Sequence, residues 1–309
     1  MDAYAVVTEG CGLVDRSETG KLALTGDQAA EMLDGLVTNA ISPLAPGEGR
    51  YAAVLTPKGR MLGDLRVLRR DDELLLLCER VALQAIFDVL RRGVVGWRAE
   101  LHKRTLQMGL LSLVGPGADA VLDMGAPPAQ EDAHVPWGGG VAVRTYAGVD
   151  VVVPAEQTQA ARERLLAAGA VAVDEAVADI VRVEAGRPRY GVDLDETVIP
   201  QEAGLNDRAV SFTKGCYVGQ ETVARLFYKG KPNRRLAGLE LEAPAAAGDV
   251  LRAGDREVGR VGSAVVSPRR GPLALAFVRR EVEDGATVEV GATRGRVVAL
   301  PFATQRAAV

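Results

Sequence analysis

Apolar and polar residues follow two periods along this chain, and the change of period divides it. Ala29, Met32, Leu33 and Leu36 recur at helical spacing, and Thr25-Gly26-Asp27-Gln28 ahead of them reads as a capping box. Tyr51–Thr56 and Met61–Leu68 predict two strands flanking the turn Pro57-Lys58-Gly59-Arg60, and Glu73–Cys78 predicts another. A helix with Leu83, Ile86, Phe87 and Leu90 inward follows and stops at Gly93. Leu110–Val114 predicts a strand and Ala118–Met124 a short helix. Val141–Thr145 and Val149–Val153 form a hairpin, leading to a helix over Glu156–Ala168. A further helix begins near Asp174, carries Val177, Ile180, Val181 and Glu184, and ends at Gly186.

These elements mix antiparallel strands with helices, an α+β pattern rather than repeated βαβ units. The stretch after Gly186 is irregular and rich in Gly, Pro and polar residues, as long functional segments tend to be. Beyond about Arg235 the helical period disappears. Short strands remain at Leu236–Leu241, Val250–Leu251, Val258–Val266, Leu273–Val278, Thr287–Val290 and Gly295–Val298. Their turns carry Gly-Asp and Pro, which predicts a small all-β barrel or jelly roll.

At 309 residues the chain exceeds the usual single core, so two or three domains are expected. A net charge of −4 gives no reason to expect a nucleic acid or an anionic membrane as the main partner. Cys11, Cys78 and Cys216 are far apart and odd in number, which fits reduced thiols in a cytoplasm better than a disulfide framework or a self-contained metal site. The N-terminus lacks the basic and apolar regions of a signal peptide, and no apolar run approaches the roughly 20 residues of a membrane helix. A soluble protein is expected.

The richest chemistry lies in Lys214-Gly215-Cys216-Tyr217-Val218-Gly219-Gln220-Glu221. An ammonium near Cys216 favours the thiolate, the form that reacts or binds metal; the plainer reading is a polar turn with an exposed cysteine. His102 and His134 stand in no recognisable catalytic setting, and both read as surface or satisfied core histidines. Gly115-Pro116-Gly117 is too short for a dinucleotide fingerprint, and no P-loop exists. Arg225, Lys229, Lys231, Arg234 and Arg235, interleaved with Phe227 and Tyr228, could meet a polyanionic tail or an RNA backbone, or form a solvated strand pair. Glu184, at a helix end beside Gly186, could accept a parallel pair of N–H donors such as a pterin or guanine edge offers, or else pair with an arginine at the surface.

The cysteine segment resembles the signature of the YgfZ family of folate-binding proteins. The stretch from Arg182 to Gly204, ending Ile199-Pro200-Gln201-Glu202-Ala203-Gly204, is similar to that family and to the glycine-cleavage T protein. Leu24-Thr25-Gly26-Asp27 through Thr38-Asn39, then Leu55-Thr56-Pro57-Lys58-Gly59-Arg60, follow in the same order, so the similarity runs over nearly the whole chain.

The resemblance implies two α+β lobes and a C-terminal barrel in a cloverleaf around a folate channel. Residues 1–235 would form the folate-binding region, its second, interleaved lobe at about 51–175, and residues 236–309 the barrel. It implies tetrahydrofolate or a one-carbon derivative as ligand, with Glu184 gripping the pterin and Tyr190 and Glu202 in matching folate-site segments. It further implies help in assembling or maintaining iron–sulfur proteins, a tRNA-modifying enzyme among them, with such clients or assembly factors as partners. Cys216 would act as nucleophile or transient cluster ligand, tuned by Lys214, with Tyr217 supplying a hydrogen bond or proton. Near Met61-Leu62-Gly63-Asp64-Leu65 the T protein carries two adjacent acids where this chain has Gly63-Asp64. That puts aminomethyl transfer in doubt and leaves Asp64 as a remnant ligand contact or a structural residue. The expected function is thus a tetrahydrofolate-binding accessory factor for iron–sulfur proteins. Its rivals are a folate-dependent one-carbon transferase or demethylase, and a tRNA-modification factor contacting RNA.

Overall fold

The continuous run Leu74-Leu75-Leu76-Leu77 has no polar side because its strand is covered on both faces. Leu74, Leu76 and Cys78 pack with Ile86 and Leu90 of the helix Leu83–Gly93, while Leu75 and Leu77 meet Leu110, Val143 and Val152 of a second sheet. Each such side chain contributes about 1.5–3 kcal/mol on burial. The structure, a computed structural model, describes residues 2–122, 125 and 127–302.

The first sheet is antiparallel, in the order Gly49–Leu55, Met61–Arg69, Leu74–Cys78, Gly20–Thr25 and Glu100–Lys103. The second runs Val171–Ala172, Gly12–Asp15, Met108–Val114, Gly148–Pro154, Gly140–Thr145 and His134–Trp137, with only the Val171–Ala172 pairing parallel. The sheets therefore exchange near Arg104, and the short strand Gly12–Asp15 crosses into the second sheet. Six antiparallel strands between Arg234 and Val298 close into the barrel, so the β texture read beyond Arg235 forms the closed alternative.

Local differences from the sequence reading have identifiable causes. The helix after Thr25 is formed over Ala29–Asp34, but no side chain caps it. Gly26 takes φ +101°, Asp27 pairs with Arg98, and Thr25 Oγ1 meets His102 Nε2 at 2.8 Å, so long-range partners displace the capping box. The helix expected at Ala118–Met124 is formed over Ala118–Val121; Asp123 and Met124 lie outside the described residues. The basic segment expected as a strand pair is instead the helix Gln220–Lys229, and only Arg234 and Arg235 enter a strand. His134 is buried between the Asp132 and Arg69 carbonyls, and burial lowers its pKa. Among the described residues, no helix is long and apolar enough to cross a membrane.

The helix Glu175–Glu184 joins the lobes to the barrel. Arg182 donates to Asp193 Oδ2 at 2.8 Å and to Ser263 Oγ at 2.6 Å, while Asp193 Oδ1 accepts the Ser263 N–H. Gly186 follows at φ +66°, the left-handed turn expected of it.

Candidate functional site

The layer between the sheets is apolar at one end and polar at the other. On the strand Met61–Arg69, Leu65 and Val67 face the helices, whereas Asp64 and Arg66 share the opposite face with Leu68. On the strand Gly148–Pro154, Val149, Val151 and Val153 face away, and Asp150 points between the sheets with Val152. Where the leucine and valine contacts end, these charged residues line a cavity of about 210 Å³.

Charges in the wall are paired. Arg66 lies between Asp132 and Asp150, and Ser112 Oγ donates to Asp150 Oδ1 at 2.6 Å. Burial opposes the Arg66 charge, but the two carboxylates outweigh it and raise the guanidinium pKa. Tyr51 donates its phenolic O–H to Asp64 Oδ2 at 2.6 Å, and Arg208 lies 4.8 Å from the Tyr51 ring centroid. Burial pushes Asp64 up to about 6, with the Tyr51 hydrogen bond opposing. Cys78 also borders the cavity, but burial pushes its thiol up to about 12, so it stays protonated.

Two wall groups invite a ligand. Arg187 lies over the Tyr146 ring at 5.1 Å and donates one N–H to Glu131 at 3.1 Å, while its buried Nη1 has no partner among the described residues. A buried donor left unmet costs about 1–3 kcal/mol. Glu79 is held only loosely, 3.6 Å from Arg189, and burial raises its pKa.

Of the residues expected at a folate site, Asp64 and Tyr190 line this cavity. Glu184 and Glu202 do not. The Glu184 side chain points between the first helix and the barrel, where Oε1 accepts from Tyr4 and Ser267. Glu202 faces Arg234 at 3.1 Å and accepts the Ile199 N–H. Tyr51, Tyr146, Arg187 and Glu79 were missed. The usable signal was charge within apolar strands, as at Asp64, Arg66 and Asp150, because buried charge is rare unless paired.

Gly63 faces away from the cavity, and a Cβ there would lie 2.8 Å from Ala82 and 2.9 Å from Ile86. An acid at this position would enter the helix packing rather than the cavity.

None of the residues of the cysteine segment lines this cavity. Lys214 has a side chain only 4% exposed, and its Nζ donates to the carbonyls of Asp34, Val37 and Asn39 at 2.6, 3.0 and 2.8 Å. Its ammonium is committed to these carbonyls rather than to the thiol, and burial lowers its pKa while Asp34 opposes. Tyr217 is buried in the first lobe's core, and burial pushes its phenol up to about 12, ill-suited to giving up a proton near neutral pH. Gly219, at φ +84°, passes so close to the hairpin turn that a Cβ would lie 2.6 Å from the Thr56 carbonyl oxygen. Cys216 stands exposed on the loop these residues pin.

Comparison with known proteins agrees with this architecture. Residues 2–153 match the GCVT N-terminal domain, and residues 234–304 match the glycine cleavage T-protein C-terminal barrel domain. The aminomethyltransferase of Rubrobacter xylanophilus is 31% identical, the match covering 97% of this chain and 85% of the relative. That of Streptomyces avermitilis is 32% identical, covering 97% and 88%. The crystal structure of the glycine cleavage system aminomethyltransferase T from Bartonella henselae superposes with a TM-score of 0.89 at 27% identity, covering 98% of this chain and 89% of that one. Two α+β sheets with a C-terminal barrel are thus the T-protein fold, and the chain belongs to the glycine-cleavage T-protein (aminomethyltransferase) family.

Proposed function

We propose that this protein binds a reduced folate between its two sheets and serves the assembly or maintenance of iron–sulfur proteins through Cys216. The thiol loop carries the reading. Lys214, Tyr217 and Gly219 are all committed to holding it, and the cysteine between them is exposed, next to an exposed glycine that carries no side chain. The resemblance of this segment to the YgfZ signature supplies the class of client.

The cavity residues fit the folate. Its volume suits a bicyclic pterin rather than a whole folate, leaving the tail outside. Arg187 would donate its unmet N–H to a ligand oxygen, with Tyr146 beside it. Glu79, the least committed acid of the wall, would take the donor pair that the sequence assigned to Glu184. A bound reduced folate supplies a carrier for one-carbon units. Asp64 holds a proton on its carboxyl group up to a pH of about 6, with Oδ2 fixed by Tyr51.

Anaerobic calorimetry with tetrahydrofolate tests the cavity. Saturable binding to the wild type, weakened about tenfold in Arg187→Ala, is expected. No binding to the wild type removes folate from the reading. A Cys216→Ser variant that folds, binds folate and still restores iron–sulfur enzyme activity in deficient cells removes the thiol.

A second reading, aminomethyl transfer, is favoured by Asp64 titrating inside the cavity. It requires stoichiometric methylene-folate formation from an amine donor, lost in Asp64→Asn.

A further inference from the structure

The helix Gln220–Lys229 follows the thiol loop directly and turns aromatic rings toward solvent. Phe227 and Tyr228 are 48% and 67% exposed. Phe212, four residues before Cys216, stacks on Phe227 with centroids 3.8 Å apart and planes at 19°, and Tyr228 meets Phe227 edge-on at 5.0 Å. In a chain only 4% aromatic, three rings gathered at one point make a patch rather than scatter.

The surroundings are basic. Lys229 and Lys231 are exposed and form no ion pair among the described residues. Among the described residues Arg225 pairs only with Glu221, at 3.4 Å, with both side chains largely in water. Lys58 joins them from the hairpin turn, because Gly59 lets Thr222 of this helix approach to 2.8 Å of where a Cβ would stand. This positive face lies on a chain whose net charge is −4, so it complements an acidic partner locally rather than through the whole protein's field.

We propose that this aromatic and basic face docks an acidic segment of a protein partner, seats an apolar side chain of that segment on the rings, and holds the partner beside Cys216. The proposal rests on the thiol reading above, because it names how a client reaches that loop. A protein segment fits better than RNA. Each phosphate contact on a single strand steepens the salt dependence by about 0.7, so four cations offer a short track. The Phe212–Phe227 stack also occupies one face of each ring that bases would need. Exposed aromatics ringed by charge instead match the anchors of protein interfaces.

Fluorescence anisotropy tests this with a short labelled peptide of glutamates around two leucines, with its lysine counterpart and an oligouridylate as controls. The acidic peptide is expected to bind the full chain with strong salt dependence, and the lysine peptide not to bind. Combined Lys58→Glu, Lys229→Glu and Lys231→Glu, or Phe227→Ala with Tyr228→Ala, should each weaken it about tenfold. Tetrahydrofolate titration of the same variants checks that they fold, since none of these residues lines the cavity. Peptide binding that is absent, or unchanged in the variants, overturns the proposal, as does tighter binding of the oligouridylate. Cys216→Ser separates the two ideas: it should bind the peptide normally, and rescue of cells by that variant would sink the thiol reading alone.

Discussion

Asp64 and Cys216 are the groups proposed to react at the two sites, and they live in opposite surroundings. Around Asp64 the protein buries the chemistry itself: carboxylates and guanidiniums pair between two sheets, and desolvation moves a carboxyl pKa to about 6. Around Cys216 it buries the supports and leaves the chemistry outside. A buried group is tuned by its neighbours but restricted to ligands that fit a small cavity. An exposed group on a pinned loop can meet a surface as large as another protein.

The contrast can be tested by substitution. Arg66→Ala should be the most damaging, leaving Asp132 and Asp150 buried without their cation at a cost of about 3–5 kcal/mol, read from urea denaturation. Lys214→Ala comes next at about 3 kcal/mol, since three carbonyls lose their donor. A loss under 1 kcal/mol there would mean that the lysine does not pin the loop.

Asp64→Asn should act in the other direction. Because the folded pKa lies above that of an unfolded aspartate, the native state binds the proton more readily, and stability falls as pH rises from about 4 to about 6. The asparagine variant avoids that loss. It should be about 2 kcal/mol more stable than wild type above pH 6 and equal to it below about pH 4, measured by denaturation across pH. Cys216→Ser should be the mildest, within about 0.5 kcal/mol, as expected for an exposed side chain. A larger effect would erase the distinction between the two sites.

How much was legible depended on whether local pattern or distant partners decide a residue's place. Barrel strands such as Leu236–Leu241 and the hairpin around Pro57-Lys58-Gly59-Arg60 could be read because period and turn chemistry agree. The helix Gln220–Lys229 could not, since its apolar face is narrow and only Val223 is buried. Asp64 and Tyr190 were singled out through resemblance. Tyr51, Tyr146 and Arg187 converge on the cavity from segments far apart in sequence, which no local pattern encodes. Glu184 looked placed for a ligand because a helix end often faces a cleft, but Tyr4 of the first helix and Ser267 of the barrel claim it. Lys214 looked like a tuner of its neighbour until the loop around Asp34 offered it three oxygens.

The strand Leu74–Cys78 carries a consequence for the nascent chain. Its edges pair with Gly20–Thr25 and Met61–Arg69, both synthesised before it, but the cover for Leu75 and Leu77 comes from residues 108–152. At ribosomal speeds that delay is roughly 4–15 s, during which a strongly apolar face waits uncovered. Arg69-Arg70-Asp71-Asp72 before the strand and Glu79-Arg80 after it put charge at both ends, where gatekeepers oppose intermolecular sheet growth. Neutralising the exposed Asp71, Asp72 and Arg80 would leave the finished fold nearly unchanged and show first as aggregation during expression.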